Sequence, residues 1–180
     1  MSTEWRTDAL TQPLPDGSFD VARRLVEDYR MADPAIVRAS WDRAAPLLGR
    51  EMLLQLRLWR VLRVHARVRV TRVWDERDDG TRVFGFEYET LPAHLEIGRM
   101  DYEVRESGDG RVEFRLHARS KASGEGAWWA RIGFGLFGRR EQLRFYYRCC
   151  ERMARLTARE LGLPEVQTPP AVRLAMPAAP

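Results

Sequence analysis

The stretch "FGFEYETLPAHLEIGRMDYEV", Phe84 to Val104, contains two strand-like patterns and the connection between them. On both sides of the connection, apolar and polar residues alternate with a period of two, which is typical of half-buried β-strands. The connection holds Pro92 and Gly98, which interrupt regular structure. Because strands joined by short connections run antiparallel, the stretch predicts an antiparallel pair with one apolar face. The apolar positions are Phe84, Phe86, Tyr88, Met100, Tyr102 and Val104.

The same period continues in both directions from this stretch. Even-numbered residues from Met52 to Val70 and from Val112 to Ala118 are mostly apolar, and turn signals lie at Asp78–Gly80 and Ser107–Gly110. This pattern predicts a curved antiparallel sheet of five to six strands with one dry face. On the other face, we expect cross-strand ion pairs between an arginine group and a glutamate group. These groups are Arg63, Arg67 and Arg69, and Glu87, Glu89 and Glu103.

Helical patterns lie on both sides of the strands. Residues 139–161 have an apolar stripe at helical spacing, which includes Tyr146, Tyr147 and Met153, and this predicts a long helix that covers the dry face. Before the strands, Ser18 is placed to cap a helix over residues 19–30, and Asp33-Pro34 predicts a second helix that ends near residue 45. The fold class is therefore α+β.

The chain is expected to form one domain. Its 180 residues are enough for one core, and we predict an irregular lead-in over residues 1–17, a domain over 18–162, and a disordered tail rich in Pro and Ala over 163–180. No apolar run reaches the roughly 20 residues that span a bilayer, and the first residues lack a signal-peptide pattern. The adjacent Cys149 and Cys150 are expected to be reduced. These features predict a cytoplasmic protein without a transmembrane segment.

The charge pattern argues against nucleic-acid binding. The net charge is +4 and the thirty basic residues include a single lysine, but the acidic residues are interleaved with the arginines. A phosphate-binding surface requires clustered positive charge without such compensation. We therefore expect no nucleic-acid partner, and the sequence does not indicate the oligomeric state.

One histidine is a candidate catalytic residue. His94 lies two residues from Glu96 in the quoted connection, so it is a candidate general base oriented by that carboxylate. The alternative is a structural corner, in which Thr90, Pro92 and Gly98 shape the connection. The remaining histidines, His65 and His117, fall on the charged face. No metal site is predicted, because a third ligand is missing, and no cofactor motif is found.

The apolar face has two interpretations that the sequence leaves open, a filled core and a pocket for a small hydrophobic molecule or lipid. Binding without catalysis is the leading hypothesis, and an enzyme that uses His94 and Glu96 is the alternative. A third hypothesis assigns residues 126–140, rich in Trp, Phe and Gly, to a membrane surface or a protein partner. The expected ligand-binding residues are Phe84, Phe86, Tyr88, Thr90, Tyr102, Phe114, Tyr146 and Met153.

The quoted stretch also resembles a known family hallmark, Gly85-Phe86-x-Tyr88-x-Thr90-Leu91-Pro92-x-His94-x-Glu96-x-Gly98. It is typical of an uncharacterised bacterial and plant family, the domain of unknown function nineteen-ninety, and the resemblance covers roughly residues 18–160. The chain departs from the family pattern at Glu89, Ala93, Leu95, Arg99 and Met100. The resemblance implies no activity. It implies a layout similar to the helix-grip superfamily of START lipid-transfer and pollen-allergen-like proteins, which often hold apolar molecules.

Overall fold

The computed structural model describes residues 6–58, 62–91, 96–122 and 139–164. This part of the chain forms one antiparallel sheet of seven strands and two helices, with the strand order β1-β7-β6-β5-β4-β3-β2. The elements in chain order are β1 (Arg6–Leu14), α1 (Phe19–Glu27), β2 (Val37–Ser40), β3 (Glu51–Leu58), β4 (Leu62–Asp78), β5 (Thr81–Thr90), β6 (Glu96–Glu106), β7 (Val112–Ala122) and α2 (Arg139–Glu160).

The sheet has seven strands, and the prediction of five to six was too low because both edge strands were missed. Residues 6–14, predicted to be irregular, pair with β7 along their whole length as β1. Pro13 misled the prediction, since proline interrupts central strands but is tolerated on an edge strand such as β1. The lead-in is therefore ordered where the structure describes it.

The second edge strand replaces a predicted helix. The N–H groups of Ile36 and Val37 both donate to the carbonyl of Asp33, whose side chain accepts the N–H of Ala35. This closes a single turn. The chain then extends and pairs with β3 as β2, so the helix predicted from residue 34 to 45 is wrong. Pairing with β3 provides partners for the backbone, and this overrides the local helix signal.

The predicted alternation is confirmed for most of the sheet and changes at one bulge. From Met52 to Val70, and again from Phe84 to Ala118, the buried strand residues are almost all even-numbered. The ladder between β4 and β5 is irregular between Val70 and Arg72. Because the bulge adds one residue to β4, the inward positions become odd-numbered, and Val73 packs against the core.

The long helix α2 covers the sheet from the β1 side, where it packs against β1, β7 and α1. Its buried residues include Tyr146, Cys150 and Met153, as the apolar stripe predicted, and also Cys149, which was not assigned to that stripe. Tyr147 was also assigned to that stripe, but it is 42% exposed. Residues 145–146 and 149–150 are buried, whereas Tyr147 and the adjacent Arg148 are exposed, so Tyr147 lies on the solvent side of the helix.

The two helices are joined by polar contacts at the C-terminal end of α1. Arg152 of α2 donates from Nε to the carbonyl of Arg30 at 2.8 Å, and Glu160 pairs with Arg30 at 3.2 Å. No helix among the described residues has the length and hydropathy to cross a membrane.

Candidate functional site

Three tyrosines meet on the concave side of the sheet, and we call them the tyrosine cluster: Tyr29, which follows α1, Tyr88 on β5 and Tyr102 on β6. The hydroxyl oxygen of Tyr102 lies 3.2 Å from that of Tyr29 and 3.5 Å from that of Tyr88. The ring centroids of Tyr29 and Tyr102 are 5.7 Å apart in an edge-to-face arrangement. All three side chains are buried, so their hydroxyl groups form a small polar centre inside the core.

Tyr29 reaches the cluster through an unusual backbone conformation. The N–H of Tyr29 donates to the carbonyl of Val26 and the N–H of Arg30 to that of Leu25, which is the Schellman pattern of helix termination. The left-handed position of this motif normally holds glycine, but Tyr29 occupies it with φ of 54°. Such a conformation costs about 1 kcal/mol or more for a bulky residue. The burial of the Tyr29 side chain offsets that cost.

The surroundings of the cluster keep its acidic groups neutral. Burial raises the pKa values of Tyr29 and Tyr102 well above the usual value for tyrosine. The neighbouring phenols raise the pKa of Tyr102 further, whereas for Tyr29 the hydrogen bond with Tyr102 opposes the effect of Tyr88. Burial has the same effect on the pKa of the Cys149 thiol, on the face of α2 that meets the sheet. The cluster can therefore act as a set of neutral hydrogen-bonding groups at physiological pH.

The structure buries seven of the eight predicted ligand-binding residues in one core cluster and leaves Thr90 partly buried. Phe84 is covered by α1, where the Arg23 guanidinium carbon lies 4.6 Å from the ring centroid, so it anchors a helix. Thr90 is only partly buried and holds the loop after β5. The others are fully or nearly fully buried in the single core cluster: Phe86, Tyr88, Tyr102, Phe114, Tyr146 and Met153.

Sequence reasoning missed Tyr29 and Cys149 as members of this site. Tyr29 falls inside the helix predicted over residues 19–30, and Cys149 was expected only to be reduced. The structure places Tyr29 against Tyr102 because α1 ends two residues earlier than Tyr29, and it buries Cys149 of α2 in the same core. No sequence signal within either segment indicates this meeting, since it depends on how two distant elements dock.

The connection after β5 is held by backbone contacts at both ends. The Thr90 hydroxyl oxygen accepts the N–H of Gly98 at 2.8 Å, and the N–H of Leu91 donates to the carbonyl of Arg67. These bonds fit the structural-corner interpretation of Thr90. His94 and the side chain of Glu96 lie outside the described residues, so their catalytic role stays a prediction. Residues 126–138 also lie outside the described part.

The outer face of the sheet carries ion pairs, but with partners other than those predicted. Arg67 and Arg69 both bind Glu51 on β3, whereas Glu87 binds Arg119 at 3.2 Å. The pairing differs because β3, which borders the arginine-rich strand, supplies the nearer carboxylate. His65 contacts Gln55 on this face, as its position predicted.

His117, the other outer histidine, belongs to a half-buried network. Its Nδ1 atom lies 3.1 Å from Asp101 Oδ2, which also accepts from Arg119 at 3.0 Å. Burial alone would raise the pKa of Asp101, but the hydrogen bonds from His117 and Arg119 outweigh it and lower that pKa. Among the described residues, no group of His, Cys, Asp and Glu side chains is arranged to hold a metal ion.

Comparisons with a family model and with solved structures show what this chain is similar to. The family model described as "Domain of unknown function (DUF1990)" matches residues 2–152. Norcoclaurine synthase from Thalictrum, in complex with a transition-state analogue, is 8% identical with a TM-score of 0.57, covering 89% of this chain and 99% of that one. Ara h 8.0201 is 9% identical with a TM-score of 0.55, covering 87% and 99%.

A bacterial structure is similar at the same level. The hypothetical protein jhp0584 from Helicobacter pylori is 6% identical with a TM-score of 0.55, covering 85% of this chain and 87% of that one. A search of curated proteins found no match. At these identities the likeness establishes the fold alone, a curled antiparallel sheet against a long helix.

Proposed function

The chain belongs to the family described as a domain of unknown function (DUF1990) and has a helix-grip fold, and we propose that it binds a small hydrophobic molecule or lipid between the sheet and α2 without converting it. The tyrosine cluster is the observation that carries this proposal. Its hydroxyl groups lie in a mainly apolar interior, where they are suited to hold the polar group of a mainly apolar ligand.

The residue types at the cluster support this role. Phe86 packs beside Tyr102 with a centroid distance of 5.4 Å. Because a phenylalanine ring fits these surroundings, packing alone does not require the hydroxyl groups of the tyrosines. A buried hydroxyl group is costly unless it is hydrogen-bonded, and the 3.2 Å between the Tyr29 and Tyr102 hydroxyl oxygens is longer than the roughly 2.7–2.8 Å of a strong O–H···O bond. A ligand oxygen or nitrogen would give the Tyr102 hydroxyl group a shorter hydrogen bond.

The fold is compatible with such a ligand. The norcoclaurine synthase structure, whose fold this chain shares, is a complex with a small molecule. A sheet that curls around a helix leaves its concave face as the natural position for a ligand, and the tyrosine cluster lies on that face. This argument concerns the fold, while the cluster supplies the residue-level support.

Native mass spectrometry of the purified protein and titration with a fatty acid that carries a nitrobenzoxadiazole fluorophore would test the proposal. We expect an apolar species to co-purify and the fluorescent fatty acid to bind with saturation. If no apolar species co-purifies and the probe does not bind, the proposed function is wrong.

A pair of tyrosine variants would test the cluster itself. We expect Tyr102→Phe to weaken probe binding about two- to tenfold, since one hydrogen bond is removed from the site. Tyr147→Phe is the matched control, because it makes the same chemical change on the exposed side of α2. Equal affinities for the two variants would show that the ligand does not contact the cluster.

A further inference from the structure

Gln12 is a polar residue in an apolar position. It lies on the concave face of β1 between Leu10 and Leu14, both buried, and it stands opposite Phe114 of β7. The residue is only 5% exposed. Its Nε2 atom donates to the carbonyl of Pro13 at 3.0 Å, which fixes the orientation of the amide, while Oε1 has no hydrogen-bond partner in the described part of the chain.

An unpartnered amide oxygen at this depth is unfavourable in a core that contains only protein. Leaving a buried acceptor without a donor costs about 1–3 kcal/mol, which an apolar residue at the same position would avoid. The neighbours on the same face are leucines, so the position readily accepts an apolar side chain. A hydrogen-bond donor from outside the described part of the chain would account for a glutamine here.

The sheet register relates Gln12 to the tyrosine cluster. Gln12 pairs with Phe114, which pairs with Val104, two residues from Tyr102 on the same face of β6. Tyr102 is thus on the second strand from β1 and two residues along that strand from the position opposite Gln12. This places the two Cα atoms about 12 Å apart. A ligand long enough to span this distance would contact both groups.

We propose that Gln12 Oε1 accepts a hydrogen bond from an O–H or N–H group of the bound molecule. This inference rests on the proposed function and narrows the ligand class. The ligand is mainly apolar but carries a donor, as an alcohol, phenol or amide does, whereas hydrocarbons, ethers and ketones have no donor for this oxygen. Gln12 is then a residue that determines ligand specificity.

Two matched probe pairs test the inference, 2-naphthol with 2-methoxynaphthalene and 1-dodecanol with dodecyl methyl ether. Each pair keeps the apolar skeleton and removes only the donor. We expect the native chain to bind the alcohols about two- to tenfold more tightly than the ethers, and Gln12→Met to abolish this preference. Gln55→Met is the control, since Gln55 lies on the opposite face of the sheet and contacts His65.

The outcomes separate this inference from the proposed function. If the native chain binds alcohols and ethers equally, or if Gln12→Met keeps the preference, the role of Gln12 is wrong while ligand binding stands. A third outcome is a higher urea midpoint in Gln12→Met together with an unchanged preference for alcohols over ethers. Gln12 would then be an unsatisfied residue or one that binds a buried water, and the inference would be overturned. If the native chain binds the fluorescent fatty acid but none of the four probes, the role of Gln12 is wrong while the proposed function stands; if it binds neither and no apolar species co-purifies, both proposals are wrong.

Discussion

Gly85 of β5 has no side chain, and this leaves room for the Trp74 ring of β4 and the Tyr102 carbonyl group of β6. A Cβ atom added at Gly85 would lie 2.5 Å from ring carbons of Trp74 and 2.5 Å from the carbonyl oxygen of Tyr102. We expect Gly85→Ala to lower the free energy of unfolding by about 1–3 kcal/mol, since the ring and a central strand must both shift. Urea denaturation followed by circular dichroism would measure this loss.

Gly108→Ala is the control for this prediction. Gly108 lies in the turn between β6 and β7, where the nearest atom to an added Cβ is the carbonyl oxygen of Asp79 at 3.8 Å. We expect a change within about 0.5 kcal/mol there. Equal stabilities for the two variants would mean that the indole of Trp74 does not pack against Gly85.

Arg82 of β5 links helix α1 to strands β5 and β6 of the sheet. Its guanidinium group binds Asp20 of α1 and Glu106 of β6, and lies 4.1 Å from the ring centroid of Phe19. We expect Arg82→Met to destabilise the fold by about 1–2 kcal/mol, because these contacts are lost while the aliphatic stem is kept. Thermal unfolding by calorimetry would measure the effect.

The control lies directly across the same hairpin. Arg77 pairs with Arg82 in the β4–β5 ladder, but it is exposed and has no ion pair among the described residues. Arg77→Met should therefore leave the unfolding temperature nearly unchanged, or raise it slightly by relieving repulsion between the two arginines. A loss equal to that of Arg82→Met would indicate that Arg82 acts only through the net charge of the hairpin.

An element can be predicted from the sequence when the residues that pair with it or pack on it are close to it in the chain. Strands β3 to β7 were predicted because each has alternating residues and a nearby partner. The edge strands β1 and β2 were not, since β1 pairs with β7, about a hundred residues later in the chain, and β2 contains only four residues. The register shift at Thr71 was also missed, because no turn residue marks it.

The candidate site follows the same logic. Tyr88 and Tyr102 were predicted to share one face because they lie on strands joined by a single connection. Tyr29 and Cys149 join them only through the docking of α1 and α2, and Gln12 comes from a strand that was not predicted. The periodic pattern of apolar residues within one segment does not show which distant segment packs against it. This part of the site could therefore not be derived from the sequence.

The interior of the domain contains several weak acids that stay neutral at alkaline pH only while the chain is folded. Burial raises the pKa values of Tyr29, Tyr102 and Cys149 well above the reference values of 10.0 for tyrosine and 9.0 for cysteine, and raises the pKa of Cys150 to about 12. In the unfolded chain these groups ionise near their reference values. The native state therefore binds more protons than the unfolded state above about pH 9.

This difference predicts alkaline unfolding with a defined sign. Stability is unaffected by these groups below about pH 9 and falls as the pH rises further, by up to about 1.4 kcal/mol per pH unit for each group. Urea denaturation at pH 7, 9, 10 and 11 with a reductant present would give the slope. We expect Tyr29→Phe and Cys150→Ala each to make the slope shallower, because each removes one proton released on unfolding.

Phe86→Leu separates this linkage from a simple loss of packing. Phe86 is buried beside Tyr102 but has no ionisable group, so the variant should be less stable at every pH and keep the native slope. If Tyr29→Phe also keeps the native slope, the Tyr29 phenol ionises alike in the folded and unfolded chain. The tyrosine cluster would then be open to water and unable to provide the neutral, dry hydrogen-bonding groups that ligand binding requires.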